Sequence, residues 1–214
     1  MKPLFVHIPK TGGMTIRRGI PGRIITATHG NHISMAYTNA LTETMAKAGE
    51  HHGYEHARIR DWSKNLRREH PAVAIVRNPW DRVVSRYLFA KINKHPSANK
   101  TFSEFLLERF KYGGRKYYWH RAIRGWYPQK DYVTDTAGRL VVDCLRFGST
   151  DYMAYFKLDK PLPIRNVSNI DRSDYRLFYG HAEQQLVAEW YCDDIDFFGF
   201  TFDGYATRNI WTES

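Results

Sequence analysis

Cysteine is scarce in this chain of 214 residues, which contains only Cys144 and Cys192. Two cysteines cannot build the disulfide framework that holds small secreted domains together, and their spacing is not that of zinc ligands. The closest group among the ten histidines is His51, His52 and His56, and the polar sequence around it is typical of a surface loop. We therefore expect neither a disulfide framework nor a dedicated metal site.

Long apolar runs are also missing, because no window approaches the roughly 18 apolar residues that a membrane-spanning helix requires. No apolar segment of the signal-peptide kind follows Lys2. Glycine and proline are scattered rather than gathered into a linker, and no internal repeat is visible. These absences predict a cytoplasmic chain without a membrane span, and the length favours a single domain over residues 1–214.

Charge of one sign is in excess, because 32 Lys and Arg residues outnumber 22 Asp and Glu residues, for a net charge of +10. Such an excess indicates a polyanionic partner, which could be a nucleic acid, an anionic glycan, a nucleotide cofactor or a lipid surface. The basic residues are spread along the whole chain, and no RNA-recognition or zinc-finger signature is present. We therefore expect an anionic small molecule or glycan as the partner, and no nucleic acid.

The first stretch that carries chemistry follows an apolar run, Leu4–Ile8, that breaks at Pro9. The break is followed by Lys10-Thr11-Gly12-Gly13-Met14-Thr15, which has the composition of a phosphate-binding turn at the start of a helix. Two glycines let the backbone approach an anion closely, and the lysine adds a mobile positive charge. A plain helix cap after an edge strand is the alternative for this motif taken alone. It is not a Walker A loop, because the G-x-x-x-x-G-K-[ST] spacing is absent.

The second stretch repeats the strand-to-helix plan, with a buried strand at Ala72–Val76 followed by Arg77 and a helix that begins two residues later. Ser85 falls about two turns into that helix. Arg77 and Ser85 can therefore both face the crevice at the carboxyl edge of a parallel sheet, where α/β proteins bind ligands. The alternative is a solvated basic face that also includes Arg82 and Arg86.

The two stretches together resemble the sulfotransferases that use 3′-phosphoadenosine 5′-phosphosulfate (PAPS), particularly the carbohydrate, heparan-sulfate 2-O-like branch and its small bacterial or viral relatives. In that family a Lys-Thr-Gly-Gly-x-[Ser/Thr] loop holds the 5′-phosphosulfate, and an Arg-x-Pro-x-x-Arg-x-x-Ser segment holds the 3′-phosphate. The resemblance implies an α/β, P-loop-like three-layer fold with a central, mainly parallel sheet flanked by helices. It assigns PAPS contacts to Lys10, Thr11, Gly12, Gly13, Met14, Thr15, Arg77 and Ser85.

A third likeness concerns histidines. The family branch carries a His-Gly-His-Val-Ser-like element, and this chain has His29-Gly30-Asn31-His32-Ile33-Ser34, with one extra residue between the histidines. Aligned by the Ile-Ser that follows, His32 matches the histidine usually assigned as the catalytic base, and His29 matches the supporting one. The insertion of Asn31 keeps the choice between them open. A helix-capping or loop role for both is the alternative.

Two further likenesses lie in the second half of the chain. Residues 162–168 resemble a Leu-Pro-x-x-Asn-x-Ser stretch near the nucleotide, which makes Arg165 and Ser168 further cofactor contacts. Arg146-Phe147 is followed by Gly148 where the family has a glutamate, so the role of that glutamate has no counterpart here.

Local signals predict several elements independently of any resemblance. Ser34 caps a helix, Thr101 and Glu104 form a capping box, and residues 49–61 are interpreted as a surface loop.

Residues 128–133 and 140–143 are interpreted as a hairpin with Gly138 in its turn. The aromatic and basic stretch 116–129 suits either an acceptor-binding surface or core packing.

The function that the resemblance implies is transfer of the sulfuryl group from PAPS to a hydroxyl of an acceptor, with a carbohydrate as the favoured class. His32 or His29 accepts the hydroxyl proton, and Lys10 stabilises the departing phosphate without a metal. A nucleotide kinase on the same plan is one alternative, but it needs a Mg²⁺-holding acid at a second strand end, where this chain has Arg77. A non-catalytic polyanion-binding module is the other.

Overall fold

The computed structural model describes residues 1–27, 32–48, 54–93, 97–109, 125–163 and 174–213, with the backbone alone at 40, 42 and 44–48. Its strands are β1 Leu4–Val6, β2 Ile25–Thr26, β3 Ala72–Val76 and β4 Asp143–Arg146. They form one sheet in the order β2-β1-β3-β4, and all three pairings are parallel. The expected α/β class with a parallel sheet is confirmed.

Helices connect and follow these strands. Before β3 they are α1 Gly13–Gly19, α2 Met35–Ala48 and α3 Lys64–Glu69, with 3₁₀ turns at Pro21–Arg23, Tyr54–His56 and Ile59–Asp61. After β3 they are α4 Pro79–Ile92, α5 Phe102–Leu106, α6 Lys130–Val133, α7 Asp151–Phe156, α8 His181–Trp190 and α9 Cys192–Phe198, with a 3₁₀ turn at Tyr175–Phe178. Within the described ranges, no helix has the length and apolar character needed to cross a membrane.

The sheet is buried on both faces, as near-continuous apolar strands require. All five residues of β3 are buried. Ala72, Ala74 and Val76 belong to one core, in which α2, α4, α8 and α9 pack. Val73 and Ile75 belong to a second core that includes residues of α1 and α7. The alternation along the strand therefore divides the helices between the two faces and gives three layers.

Short-range signals fix several element ends where the sequence predicts them. The Thr101 hydroxyl accepts a hydrogen bond from the Glu104 amide at 3.3 Å, and the Glu104 carboxylate accepts one from the Thr101 amide at 2.8 Å. The Ser34 hydroxyl accepts one from the Tyr37 amide at 3.4 Å at the start of α2. Both caps are confirmed.

The start of α4 is tied to a distant part of the chain through Asn78. Its Oδ1 accepts a hydrogen bond from the Trp80 amide at 3.0 Å, which caps the helix. Its Nδ2 donates to the carbonyls of Thr201, Phe202 and Gly204 at 2.9, 3.1 and 2.9 Å. One amide side chain thus positions α4 against the segment that follows α9.

The hairpin expected over residues 128–133 and 140–143 is wrong for its first strand, whereas its turn at Gly138 is present. Lys130–Val133 is helical, so the two segments do not pair as strands. They are joined by the Val141 amide, which donates to the Val133 carbonyl at 3.1 Å, and by an isolated antiparallel bridge between Thr134 and Leu140. Gly138, with φ of 77°, lies in the turn between them as expected. Asp143 begins β4, which pairs in parallel with β3 instead.

A distant carboxylate explains this difference. Asp194 accepts hydrogen bonds from the amides of Gln129 and Lys130, both at 2.8 Å. An acidic acceptor at these positions satisfies donors that a helix start leaves unpaired. The local alternation of apolar residues cannot reveal that the capping residue, Asp194, lies 64 residues further along the chain.

The surface loop expected at residues 49–61 also differs over its described part, 54–61. Tyr54, Ala57 and Ile59 are buried there and belong to the core shared with α2 and α4. The segment is built of 3₁₀ turns, which give no regular apolar period for a sequence pattern to detect.

All four strands end at one edge because they are parallel. Pro9 begins the loop after β1, His32 follows β2, Arg77 follows β3 and Phe147 follows β4. The candidate site residues that the structure describes therefore lie at the carboxyl edge of the sheet.

Candidate functional site

The β1 loop, which we define as Pro9–Gly13, leaves the carboxyl edge between β1 and α1. Lys10 and Gly12 have left-handed backbones, with φ of 69° and 80°. Glycine adopts this conformation readily, whereas lysine does so rarely. The buried Thr11 hydroxyl donates to the Ile8 carbonyl at 3.0 Å and holds the turn. Left-handed residues in a turn bring backbone N–H groups to one side, an arrangement that binds anions.

Both glycines of the β1 loop are required by their neighbours. A Cβ on Gly13 would lie 2.1 Å from Cδ2 of the buried His7, and one on Gly12 would lie 2.8 Å from Cε2 of Phe147. The loop backbone is therefore packed between the residues that follow β1 and β4.

The charged end of Lys10 lies at the edge of this loop. Its Nζ is 4.1 Å from the ring centroid of Phe89 on α4, a ring that is 42% exposed. Lys10, Met14 and Thr15 are themselves half-buried. A cation–π contact at an exposed site contributes about 0.5–1 kcal/mol, less than a hydrogen bond to an anion would. An anion at the loop can therefore compete for this ammonium.

Arg77 is buried at the end of β3. Its Nε and Nη2 donate to the two carboxylate oxygens of Asp81 at 2.6 and 2.5 Å, and its Nη1 donates to the Lys10 carbonyl at 3.1 Å. Its guanidinium carbon lies 4.1 Å from the Phe147 ring centroid. Arg77 is 5% exposed and Arg82 is 2% exposed. The alternative of a solvated basic face is therefore wrong for these two arginines.

Arg77 and Ser85 share a small pocket, as the sequence predicts. The Arg77 pocket is lined by Arg77, Asp81, Val84, Ser85, Leu88, Tyr175 and Phe178. Its volume is about 10 Å³, roughly enough for one water molecule. A phosphate is larger than this volume, so the lining residues must move apart before one can enter.

Gln129 supports the backbone of Arg77 and was not found by sequence reasoning. Its Oε1 accepts from the Arg77 amide at 2.9 Å, and its Nε2 donates to the Arg77 carbonyl at 2.7 Å. Gln129 and Asp194 are both fully buried. Burial raises the pKa of Asp194, and the amides of Gln129 and Lys130 and the charge of Arg82 only partly offset this. The sequence placed Gln129 within an expected hairpin and gave its side chain no role.

His32 lies beyond the end of β2, as expected. Its Nδ1 is 2.9 Å from the Thr26 carbonyl, and its ring stacks at 6.3 Å on that of Trp62. Since a carbonyl only accepts, Nδ1 carries the hydrogen, and the neutral ring has its lone pair at Nε2. The ring is thus held in the tautomer that can accept a proton at Nε2.

A pair of imidazoles, missed from the sequence, lies beside the β1 loop. His56 Nδ1 is 2.8 Å from the His7 carbonyl, and the two ring centroids are 4.5 Å apart. The Glu55 carboxylate lies 3.7 Å from Nε2 of His56. His7 was hidden inside the apolar run of β1, and His56 inside the stretch interpreted as a surface loop.

Three predicted site residues, His29, Arg165 and Ser168, lie outside the described residues, as does most of the aromatic stretch 116–129. Among the residues that the structure does describe, no group of three or more His, Cys, Asp or Glu side chains is arranged to hold a metal ion. The chain matches no protein-family model, and comparisons with curated proteins and with solved structures give no significant match.

Proposed function

We propose that this protein is a PAPS-dependent sulfotransferase that moves a sulfuryl group to a hydroxyl of an acceptor, with a carbohydrate as the favoured class. The observation that carries the proposal is the convergence of the β1 loop, the Arg77 pocket and His32 at one edge of a parallel sheet. The two anion-binding candidates touch, because Arg77 donates to the Lys10 carbonyl. Adjacent anion sites suit a nucleotide that carries phosphate at both 5′ and 3′ positions.

The β1 loop fits the 5′-phosphosulfate. Its left-handed residues, its two close-packed glycines and the Lys10 ammonium offer positive charge without a carboxylate in the loop itself. Such fixed donors are most useful where negative charge grows during the reaction. We assign them to the phosphate that departs.

We assign the 3′-phosphate to the Arg77 pocket, which must widen to admit it. A guanidinium binds phosphate with two parallel hydrogen bonds, as it binds the Asp81 carboxylate here. Ser85 adds a hydroxyl to the same pocket. Because ATP lacks a 3′-phosphate, this pocket would distinguish PAPS from ATP.

His32 fits the role of general base. PAPS supplies an activated sulfuryl group, whose S–O bond to the 5′-phosphate breaks as the acceptor oxygen bonds to sulfur. Nε2 of His32 takes the hydroxyl proton, while Lys10 and the β1-loop amides stabilise the charge on the departing phosphate. The products are a sulfate ester and 3′-phosphoadenosine 5′-phosphate (PAP).

The surface beside Lys10 supports a carbohydrate as the acceptor class. The Phe89 ring, which lies 4.1 Å from Lys10 Nζ, is 42% exposed, and an exposed aromatic ring offers a flat apolar face on which a sugar can stack. The net charge of +10 favours a glycan that is itself anionic.

Thermal unfolding with PAP, ADP and ATP·Mg tests the cofactor. A ligand at about 100 times its Kd stabilises the folded state by about 2.7 kcal/mol, and we expect this shift with PAP alone. A shift with ATP·Mg and none with PAP would favour a phosphoryl transferase. No shift with any nucleotide, together with strongly salt-dependent heparin binding, would favour a polyanion-binding module.

Transfer of labelled sulfate from PAPS to a mixture of glycans tests the base. We expect His32→Gln to lower the rate about 10²–10⁴-fold without changing PAP affinity, because the base is lost but the anion sites remain. His70→Gln is a matched control, since Nδ1 of His70 also faces a backbone carbonyl, that of Lys2 at 3.0 Å. Equal rates for His32→Gln and the wild type would exclude His32 as the base.

A further inference from the structure

Arg82 on α4 has no role in the function proposed above, yet it is among the largest fully buried side chains. Its Nε donates to the Pro9 carbonyl at 3.0 Å, and its Nη1 donates to the Tyr127 carbonyl at 2.8 Å. Its Nη2 is buried and, among the described residues, makes no hydrogen bond. Both of its hydrogen bonds therefore go to backbone groups of loops rather than to side chains.

The charge of Arg82 is also unusual. Within the described part of the chain, Arg82 forms no ion pair. The buried acid whose pKa it affects is Asp194, and the carboxylate oxygens of Asp194 accept hydrogen bonds from the amides of Gln129 and Lys130 instead. A buried guanidinium without a directly paired carboxylate is unfavourable compared with an apolar side chain of similar size. A contribution to stability alone is therefore a poor explanation for an arginine here.

The two carbonyls at the start of the β1 loop are held by two arginines. Arg82 binds the carbonyl of Pro9, and Arg77 binds that of Lys10 at 3.1 Å. In a trans peptide the carbonyl and the following N–H point to opposite sides, and the chain has no cis peptide in its described ranges. The N–H groups of Lys10 and Thr11 are therefore directed away from the two guanidinium groups.

This arrangement also explains how Lys10 keeps its left-handed backbone, with φ of 69°. A non-glycine residue persists in this conformation when its surroundings hold both of its flanking peptides. Here the peptide before Lys10 is held by Arg82, and the peptide after it is held by Arg77.

We propose that Arg82 is a positioning residue that sets the β1 loop for the 5′-side anion by holding the Pro9 carbonyl. The inference rests on the proposed function, in which the β1 loop binds the 5′-phosphosulfate. Arg82 touches neither substrate nor cofactor and acts through the backbone of Pro9 and Lys10.

Calorimetric titration of Arg82→Lys tests this role with PAP and with two half-ligands, nucleotides that each carry only one of the two anionic ends of PAPS. A lysine keeps the charge but cannot span the carbonyls of Pro9 and Tyr127 with two fixed donors. We expect affinity for PAP and for adenosine 5′-phosphosulfate, which lacks the 3′-phosphate, to fall about tenfold. Affinity for adenosine 3′-monophosphate should stay within about twofold, because the Arg77 pocket is intact.

The matched control is Arg86→Lys. Arg86 lies on the same helix, with its guanidinium carbon 4.6 Å from the Trp126 ring centroid, and we expect it to leave all three affinities unchanged. Equal losses for both half-ligands in Arg82→Lys would show a general structural role and overturn the proposal. Unchanged affinities in Arg82→Lys would overturn it as well.

Inorganic pyrophosphate separates this proposal from the proposed function. If the wild type binds pyrophosphate but not PAP, the sulfotransferase proposal fails. The positioning role is still supported in that case if the affinity for pyrophosphate falls about tenfold in Arg82→Lys and is unchanged in Arg86→Lys. If the wild type binds neither, both proposals are overturned.

Discussion

The β1 loop and the Arg77 pocket lie at the same edge of the sheet, but they present positive charge in different ways. The loop uses backbone groups and a half-buried lysine, and its conformation is already set, with left-handed residues at Lys10 and Gly12. The pocket uses a guanidinium that is 5% exposed and already bound to Asp81. The loop contains no carboxylate, whereas the guanidinium of the pocket is bound by a carboxylate of the chain itself.

The two sites therefore differ in how much of the free energy of their contacts with a ligand contributes to affinity. A preset loop loses little conformational freedom when a ligand arrives, so most of the contact energy contributes to affinity. At the Arg77 pocket a phosphate must replace Asp81 or share the guanidinium with it, and only the difference between the two partners contributes. The four predictions below separate these two cases, from the largest expected effect to the smallest.

Gln129→Ala should lower the free energy of unfolding by about 3 kcal/mol, because the buried N–H and C=O of Arg77 lose both partners. Urea unfolding measures this change, and Gln185→Ala on the exposed side of α8 is the control. If Gln129→Ala is as stable as the control, the backbone of Arg77 does not depend on this side chain, and Gln129 is not part of what distinguishes the pocket from the β1 loop.

Gly13→Ala should destabilise the protein by about 2 kcal/mol, because the added methyl group would overlap the buried ring of His7. Gly22→Ala is the matched control, since a Cβ there has no atom within 4 Å. Urea midpoints of the two variants should differ clearly. Similar midpoints would show that the loop and His7 can shift to accommodate the added methyl group at little cost in free energy.

Asp81→Asn should raise affinity for PAP about tenfold, which corresponds to about 1.4 kcal/mol, because Arg77 then has no carboxylate to exchange for phosphate. Calorimetric titration measures the affinity, and Asp174→Asn is the control, because it removes a carboxylate partner of Arg176 that is more exposed than Asp81. Weaker binding by Asp81→Asn would show that Asp81 orients Arg77 rather than competing with the ligand.

Lys10→Gly should be more stable than Lys10→Ala by about 1 kcal/mol, because only glycine adopts the left-handed backbone without a steric cost. Both variants lack the ammonium, so the comparison isolates the backbone from the charge. Thermal unfolding of the two variants without ligand gives the difference. Equal stabilities would show that residue 10 leaves the left-handed region when its side chain is removed.

The parts of the site that the sequence predicted are those encoded by neighbours along the chain. The apolar run of β3 ends at Arg77, and the two glycines follow the apolar run Leu4–Ile8 within five residues, so both anion-binding candidates could be located from local patterns. The cap at Thr101 and Glu104 is equally local.

The parts that were missed depend on partners far along the chain. The hairpin expected at residues 128–133 failed because Asp194 caps a helix there. The imidazole pair beside the β1 loop joins His7 to His56, which lie 49 residues apart. No pattern within a window of ten or fifteen residues contains this information, whatever the strength of the local signal.

The hydrogen bonds of Asn78 have a consequence for synthesis of the protein. The start of α4, directly after Arg77, is complete only when the carbonyls of Thr201, Phe202 and Gly204 reach it. A ribosome makes the chain from its amino end at roughly 5–20 residues per second. The β1 loop and the β3 strand therefore emerge several seconds or more before the residues that hold α4 in place, and the nascent chain carries an unfinished Arg77 pocket until residues 201–204 have been translated.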